Sequence, residues 1–166
     1  QAIQSCKPSV IVNAAAYTAV DKAESESVLA QVINAEAVAI MAQEAKKINA
    51  AIVHYSTDYV FNGQGSKPYV ETDTVDPQNI YGRSKLAGEQ QLYNVLGADY
   101  PFWILRTSWV YGLHGNNFLK TMLKLAASRE KISVVADQAG APTSAALIAD
   151  VTARLLQVRP TPGTYH

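Results

Sequence analysis

Residues 80–96 read IYGRSKLAGEQQLYNVL, and the runs on either side of them decide the fold. The stretch has the length and the polar–apolar mixture of a surface helix, and Gly97 stands where a helix C-cap is expected. Before it, Ala51–Phe61 (AIVHYSTDYVF) is a short apolar run rich in β-branched and aromatic residues, which predicts a strand. After it, Phe102–Tyr111 (FWILRTSWVY) predicts another. The alternation continues outward. Val10–Ala16 (VIVNAAA) predicts a buried strand, and Leu29, Ile33, Ala37, Ile40, Met41, Ala45 and Ile48 mark one face of a helix between Asp21 and Asn49, split near Asn34. On the C-terminal side, helices are expected over Asn117–Ser128 and Leu147–Val158. Strands are expected at Ile132–Val135 and from Thr164. Strands separated by helices of ten or more residues require right-handed crossovers, hence an α/β fold with a doubly wound parallel sheet. The expectation is one domain over residues 1–166, an incomplete sheet of this kind.

Composition narrows the function. The chain has 166 residues, of which 48% are hydrophobic and 17% charged, as in a soluble globular protein rather than a disordered one. Fourteen basic residues balance fourteen acidic ones without a Lys/Arg cluster, so neither nucleic acid nor an anionic membrane is an expected partner. The single cysteine, Cys6, excludes an internal disulfide and a Cys-built zinc site, and suits a reducing cytoplasm. No apolar run approaches the roughly 18–20 residues of a membrane span, and the opening QAIQSCKPS lacks the regions of a signal peptide. A cytoplasmic location is expected. The opening also reads as the tail of a helix, which suggests that these residues lie within a longer gene product.

In open parallel sheets, ligands collect at the carboxyl ends of the strands. The polar residues sit there: Asn13–Thr18 after the first strand, Ser56–Tyr59 after the second, Thr107–Tyr111 after the third. Tyr81 and Lys85, four apart on one helix, share a face with Cβ atoms about 5–6 Å apart. A phenol with a pKa near ~10 is a poor acid at neutral pH, and a neighbouring cation lowers it. The spacing alone is unspecific, since random placement at this composition yields roughly 0.5 such pairs. Ser56-Thr57-Asp58-Tyr59 adds hydroxyls at a strand end that could hold a substrate carbonyl near the phenol, although such residues often only satisfy turns. Ala14, Ala15 and Ala16 offer small side chains against which a flat ligand can lie. His54, inside a strand, reads as a packed core histidine. HExxH, CxxC, GxSxG and GxxxxGK[ST] are absent, which removes the anchors of metalloprotease, thioredoxin-like, α/β-hydrolase and P-loop readings.

Taken together, NAAAYTAVDKAE, YSTDYVFNG, YGRSKLAGE, RTSWVYG, GNNFLKTML and DQAGAPTSAALIAD, in this order, resemble the extended short-chain dehydrogenase/reductase superfamily. Within it they are most similar to the dTDP-4-dehydrorhamnose reductase family, over roughly Val10 to His166. The resemblance implies an NAD(P)-binding Rossmann-like fold, NADPH or NADH as cofactor, and a dTDP-sugar substrate. The implied reaction is reduction of the 4-keto group of dTDP-4-dehydro-6-deoxy-L-mannose to dTDP-L-rhamnose, a precursor of bacterial surface polysaccharide. It assigns catalysis to Thr57, Tyr81 and Lys85. Ala14, Ala15, Ala16 and Ser56, with Tyr81 and Lys85, would contact the cofactor, and Thr18, Val20, Tyr59, Trp109 and Asn117 the sugar nucleotide.

The sequence departs from the family pattern in two places. The glycine-rich turn that holds a pyrophosphate at a helix N-terminus is absent, and Gly63-Gln-Gly65 lies in the wrong context to replace it. Weak cofactor binding and little turnover are therefore expected of these 166 residues alone, and a micromolar Kd for NADPH would contradict this. Some relatives hold magnesium with glutamates, but the matching position here is Ala146, so no metal is expected. The apolar Val10–Ala16 strand would present an open sheet edge, for which self-association is the expectation. Two other readings stay open: a non-catalytic regulatory module of the superfamily, and a sugar-nucleotide epimerase or dehydratase. A dehydratase typically needs Asp-Glu after the triad threonine, whereas Asp58-Tyr59 follows Thr57.

Overall fold

The computed structural model describes residues 1–166. Its contacts group into two compact units, one formed by residues 1–106 with 159–166 and one by residues 107–158.

In the first unit, α1 (Ala2–Cys6) leads into β1 (Val10–Asn13). Then come α2 (Val20–Ala23), α3 (Ser27–Gln31), a π-helical turn (Val32–Glu36) and α4 (Ala37–Lys47). β2 (Ala51–Thr57) runs into a 3₁₀ turn (Asp58–Val60), followed by α5 (Ile80–Leu96), β3 (Phe102–Thr107) and, from the far end of the chain, β6 (Gly163–Tyr165). The sheet order is β1-β2-β3-β6. β1 runs parallel to β2 with Asn13 opposite His54, and β3 runs parallel to β6. β2 is buried along nearly its whole length, as a central strand of a parallel sheet must be. Val38, Ala42, Ala45, Ile52, Leu92, Leu96, Phe102 and Ile104 lie at the heart of the core, where α4 and α5 pack beside the strands.

α5 has the expected bounds. Asn79 accepts a hydrogen bond from the Gly82 N–H at 2.7 Å and so caps its start, and Gly97, at φ +83°, ends it. The preceding helical segment differs from its expected face. Of the seven apolar positions anticipated, only Ala45 is fully buried, while Leu29 and Ile40 are exposed. The buried positions are Ala23, Ala30, Asn34, Ala35, Val38, Ala42 and Ala45. Both sets keep spacings of three and four, and the buried face is the anticipated one displaced by one residue, on both sides of the π-helical turn at 32–36. Small alanines then bring α4 close to its neighbours while the larger side chains turn outward.

In the second unit, β4 (Val110–Tyr111) pairs in parallel with β5 (Thr143–Ser144), accompanied by α6 (Phe118–Ser128) and α7 (Ala145–Val158). The run expected as one strand over Phe102–Tyr111 is two strands in two sheets, broken at Ser108 and at Trp109, whose φ is +45°. The strand expected at Ile132–Val135 does not form. Those residues find no pairing partner, Val134 and Val135 are exposed, and β4 pairs with Thr143–Ser144 instead. Strand propensity without a hydrogen-bonded neighbour does not make a strand. No helix in either unit is long and apolar enough to cross a membrane.

Candidate active site

The first unit places Thr57 at the end of β2 and Tyr81 and Lys85 on the first turns of α5. β2 ends at Thr57, whose hydroxyl donates to Asp58 Oδ1 at 3.1 Å and accepts the Tyr59 N–H at 3.2 Å. These bonds turn the chain into the 3₁₀ segment, against which the first turn of α5 is pressed. Gly82 makes that approach possible, since a Cβ there would lie 2.2 Å from the Tyr59 carbonyl oxygen. Tyr81 is thereby set edge-on to Tyr59, with ring centroids 5.6 Å apart, and its hydroxyl feels the Thr57 side chain. Burial pushes the Tyr81 phenol above its ordinary value, the Thr57 side chain pulls it back, and Asp58 and Tyr59 push it up again.

Lys85, one helical turn further, is 2% exposed. Its Nζ donates to the Tyr55 carbonyl at 2.6 Å and lies 3.4 Å from His54 Nε2. Burial lowers its pKa to about 8, and the Glu89 carboxylate opposes that shift. Glu89 is itself held by Arg106 through two hydrogen bonds, of 3.0 and 2.7 Å, with both side chains buried. The Arg106 guanidinium also stands 5.1 Å from the Phe61 ring centroid.

Ser56 is buried within β2. Ala14, Ala15 and Ala16 follow the carboxyl end of β1 outside any regular element, with Ala14 and Ala15 exposed. Thr18 is exposed and Val20 half-buried at the start of α2. The two remaining expected residues belong to the second unit. Trp109 has an exposed indole that lies against Gly140, where a Cβ would come within 2.6 Å of the ring, and is tilted on Phe118. Asn117 has its amide engaged locally: Oδ1 accepts the Lys120 N–H and caps α6, while Nδ2 donates to the Gly112 carbonyl at 2.8 Å.

Sequence reasoning missed Asn34. It is 1% exposed, in the π-helical turn, and its amide accepts the Tyr17 N–H at 2.9 Å, donates to the Tyr17 carbonyl at 3.0 Å and donates to Ser84 Oγ at 2.9 Å. Ser84 Oγ donates in turn to the Tyr81 carbonyl. One side chain thus ties the segment after the alanines to the helix that carries Tyr81 and Lys85. An asparagine in the middle of an apolar helix pattern was the available signal.

His54 is buried as expected, and its surroundings give it a measurable consequence. Burial, then the Lys85 ammonium, holds its pKa down to about 3. Between about pH 6.5 and 3 the unfolded chain therefore binds a proton that the folded chain refuses. The stability this contributes is complete above pH 6.5 and lost as pH falls through the window, by up to about 1.4 kcal/mol per pH unit. Urea melts of the protein taken from neutral to mildly acidic pH should show that slope, and His54→Phe should flatten it.

The family described as the RmlD substrate binding domain matches residues 1–166. This chain belongs to that family. Among relatives with RmlD-type sequences, the dTDP-4-dehydrorhamnose reductase of Escherichia coli K12 is 52% identical over 158 residues, covering 95% of this chain and 52% of that protein. The Salmonella typhimurium reductase is 53% identical over 158 residues, with the same coverage. The chain spans about half the length of the curated relatives it matches. A solved dTDP-4-dehydrorhamnose reductase from Bacillus anthracis, in complex with NADP, superposes with a TM-score of 0.93 at 45% identity, covering 99% of this chain and 57% of that one. The chain thus has the Rossmann-like α/β fold of that structure, built on a parallel sheet.

Proposed function

We propose that the protein reduces the 4-keto group of dTDP-4-dehydro-6-deoxy-L-mannose with NADPH or NADH, giving dTDP-L-rhamnose in the cytoplasm. The observation that carries this reading is the buried phenol of Tyr81 beside the 3₁₀ turn that follows Thr57 at the end of β2, with the buried amine of Lys85 one helical turn away. The names of the relatives and the NADP complex of the Bacillus anthracis structure support it.

The residues present fit a nicotinamide cofactor. Small side chains leave the backbone accessible after β1, and a buried amine with few partners lies one helical turn from Tyr81 on α5. When bound, the cofactor supplies hydride to the carbonyl carbon. Ala14, Ala15, Ala16 and Ser56 would line its path, and Lys85 would hold its ribose hydroxyls. Thr57 orients the carbonyl oxygen and Tyr81 donates the phenolic proton to it, so that no free alkoxide has to form. Burial around Tyr81 keeps the phenol protonated until the acceptor oxygen becomes basic. Thr18, Val20 and Tyr59 are the proposed sugar-nucleotide contacts of the first unit. Trp109 and Asn117 are those of the second, with the exposed indole of Trp109 offering a face for stacking.

Product analysis tests this reading. With cofactor deuterated at the transferable position, the intact protein should convert the keto sugar nucleotide to an alcohol carrying one deuterium at C4 of the sugar. An unaltered sugar nucleotide after incubation with a folded, cofactor-bound protein would refute it. We also propose that the 166-residue chain self-associates through the open edge at β1, where Val12 is exposed. A monomer by light scattering at high concentration would contradict that.

A further inference from the structure

His54 and Asn13 have no part in the reaction just described, yet both are buried, at 1% and 7% exposure, directly behind Lys85. They face each other across β1 and β2. The Ala15 N–H donates to Asn13 Oδ1 at 3.2 Å, which fixes how the amide is turned, and Asn13 Nδ2 lies 3.0 Å from His54 Nδ1. Nδ1 must therefore accept. A neutral imidazole that accepts at Nδ1 carries its proton on Nε2. That N–H faces Lys85 Nζ at 3.4 Å, a long contact, while Nζ donates onward to the Tyr55 carbonyl at 2.6 Å.

An ammonium has no lone pair with which to receive the N–H, and a free amine has one. The donors thus run in one direction, from Ala15 through Asn13, His54 and Lys85 to the Tyr55 carbonyl. The row is complete only when Lys85 is uncharged. We infer that His54 is a positioning residue for Lys85: locked by Asn13 in its Nε2–H tautomer, it fixes Nζ in place and favours the free amine over the ammonium.

The inference rests on the reductase reading and deepens it. Once Tyr81 has given its proton to the substrate oxygen, one proton passed from the Lys85 ammonium restores the phenol and leaves the free amine. His54 receives that amine, and one proton from solvent then recharges it. The other charged and titratable groups around the row are Tyr81 and Glu89 on α5, Arg106 on β3 through its pair with Glu89, and Asp58 and Tyr59 after β2. Of these, Glu89 acts against His54, because its carboxylate favours the ammonium. β1 contributes only the neutral Asn13.

The test is the pH dependence of NADPH binding by the intact protein, followed by cofactor fluorescence, with Lys85→Met identifying the midpoint that belongs to the amine. Circular dichroism and thermal melts first establish that each variant is folded. Wild type should titrate near the value of about 8 set by burial. The midpoint should rise by about one pH unit in His54→Phe. Asn13→Ala should raise it too, because it frees the imidazole to move its proton to Nδ1, and it serves where the phenylalanine is not tolerated. His54→Gln, whose amide N–H can stand where Nε2–H stood, should bring it back towards wild type. A folded His54→Phe or Asn13→Ala with an unmoved midpoint would overturn the inference. Because the readout is cofactor binding, a protein that binds NADPH but leaves the keto sugar untouched would sink the reductase reading and still answer this question.

Discussion

Gly88→Ala is expected to destabilise the protein by about 3 kcal/mol or more, seen as a lowered urea midpoint at unchanged slope. The cause is contact rather than backbone freedom. Gly88 faces the π-helical turn, and a Cβ built on it would lie 2.1 Å from the Asn34 carbonyl oxygen. That oxygen is main chain in a packed helix, so no rotamer change relieves the overlap. The turn has to move away from α5, and Asn34 moves with it. The hydrogen bonds from Asn34 to Tyr17 and Ser84 would then lengthen or break, leaving buried polar atoms unpaired. Cofactor affinity should fall alongside stability, because the same side chain steadies the segment after Ala14–Ala16.

Tyr81→Phe should lower kcat by about 10²–10⁴-fold while the protein stays folded and still binds cofactor. The substitution removes one hydroxyl and leaves the ring packed edge-on to Tyr59. On the proposed reaction, what disappears is the acid. With no proton donor at the carbonyl oxygen, the transition state has to carry charge that Thr57 alone must stabilise. KM for the keto sugar should change far less than kcat, since the lost interaction is strongest in the transition state. A loss confined to KM would place Tyr81 in binding rather than in proton transfer.

The layers of this fold were legible because their signals are local and repeated. The bounds of α5 follow from an asparagine cap at one end and Gly97 at the other. The strands β1, β2 and β3 begin where β-branched and aromatic runs begin. Three features were not legible, each for a physical reason. In the helices after β1 the core takes a face one residue away from the larger apolar side chains, lined mostly by alanines, and spacing alone does not choose between two faces of the same period. Ile132–Val135 has the residues of a strand, but a strand exists only in a pair, and its pairing is decided by distant residues. The break between β3 and β4 depends on a positive φ at Trp109, a residue type that carries no such preference.

At the site, the sequence pointed to Thr57, Tyr81 and Lys85 through a strand end and a four-residue helical spacing; the structure sets Tyr81 beside the end of β2 with Lys85 one helical turn along α5, and the phenol is raised by burial rather than lowered by the lysine. The supporting residues were hidden. Asn34 reaches Tyr17 and Ser84 across 17 and 50 residues of sequence, and Asn13 meets His54 across 41. Contacts of that range are set by sheet register and helix packing, which periodicity does not encode.

The central claim is that Tyr81, backed by Thr57 and Lys85, serves a nicotinamide-dependent reduction of a keto sugar nucleotide. Its most direct test is the loss of NADPH absorbance when the intact protein is given dTDP-4-dehydro-6-deoxy-L-mannose. The prediction is one equivalent of cofactor oxidised per equivalent of sugar. A folded protein that binds NADPH and leaves its absorbance unchanged over the same period would contradict the claim.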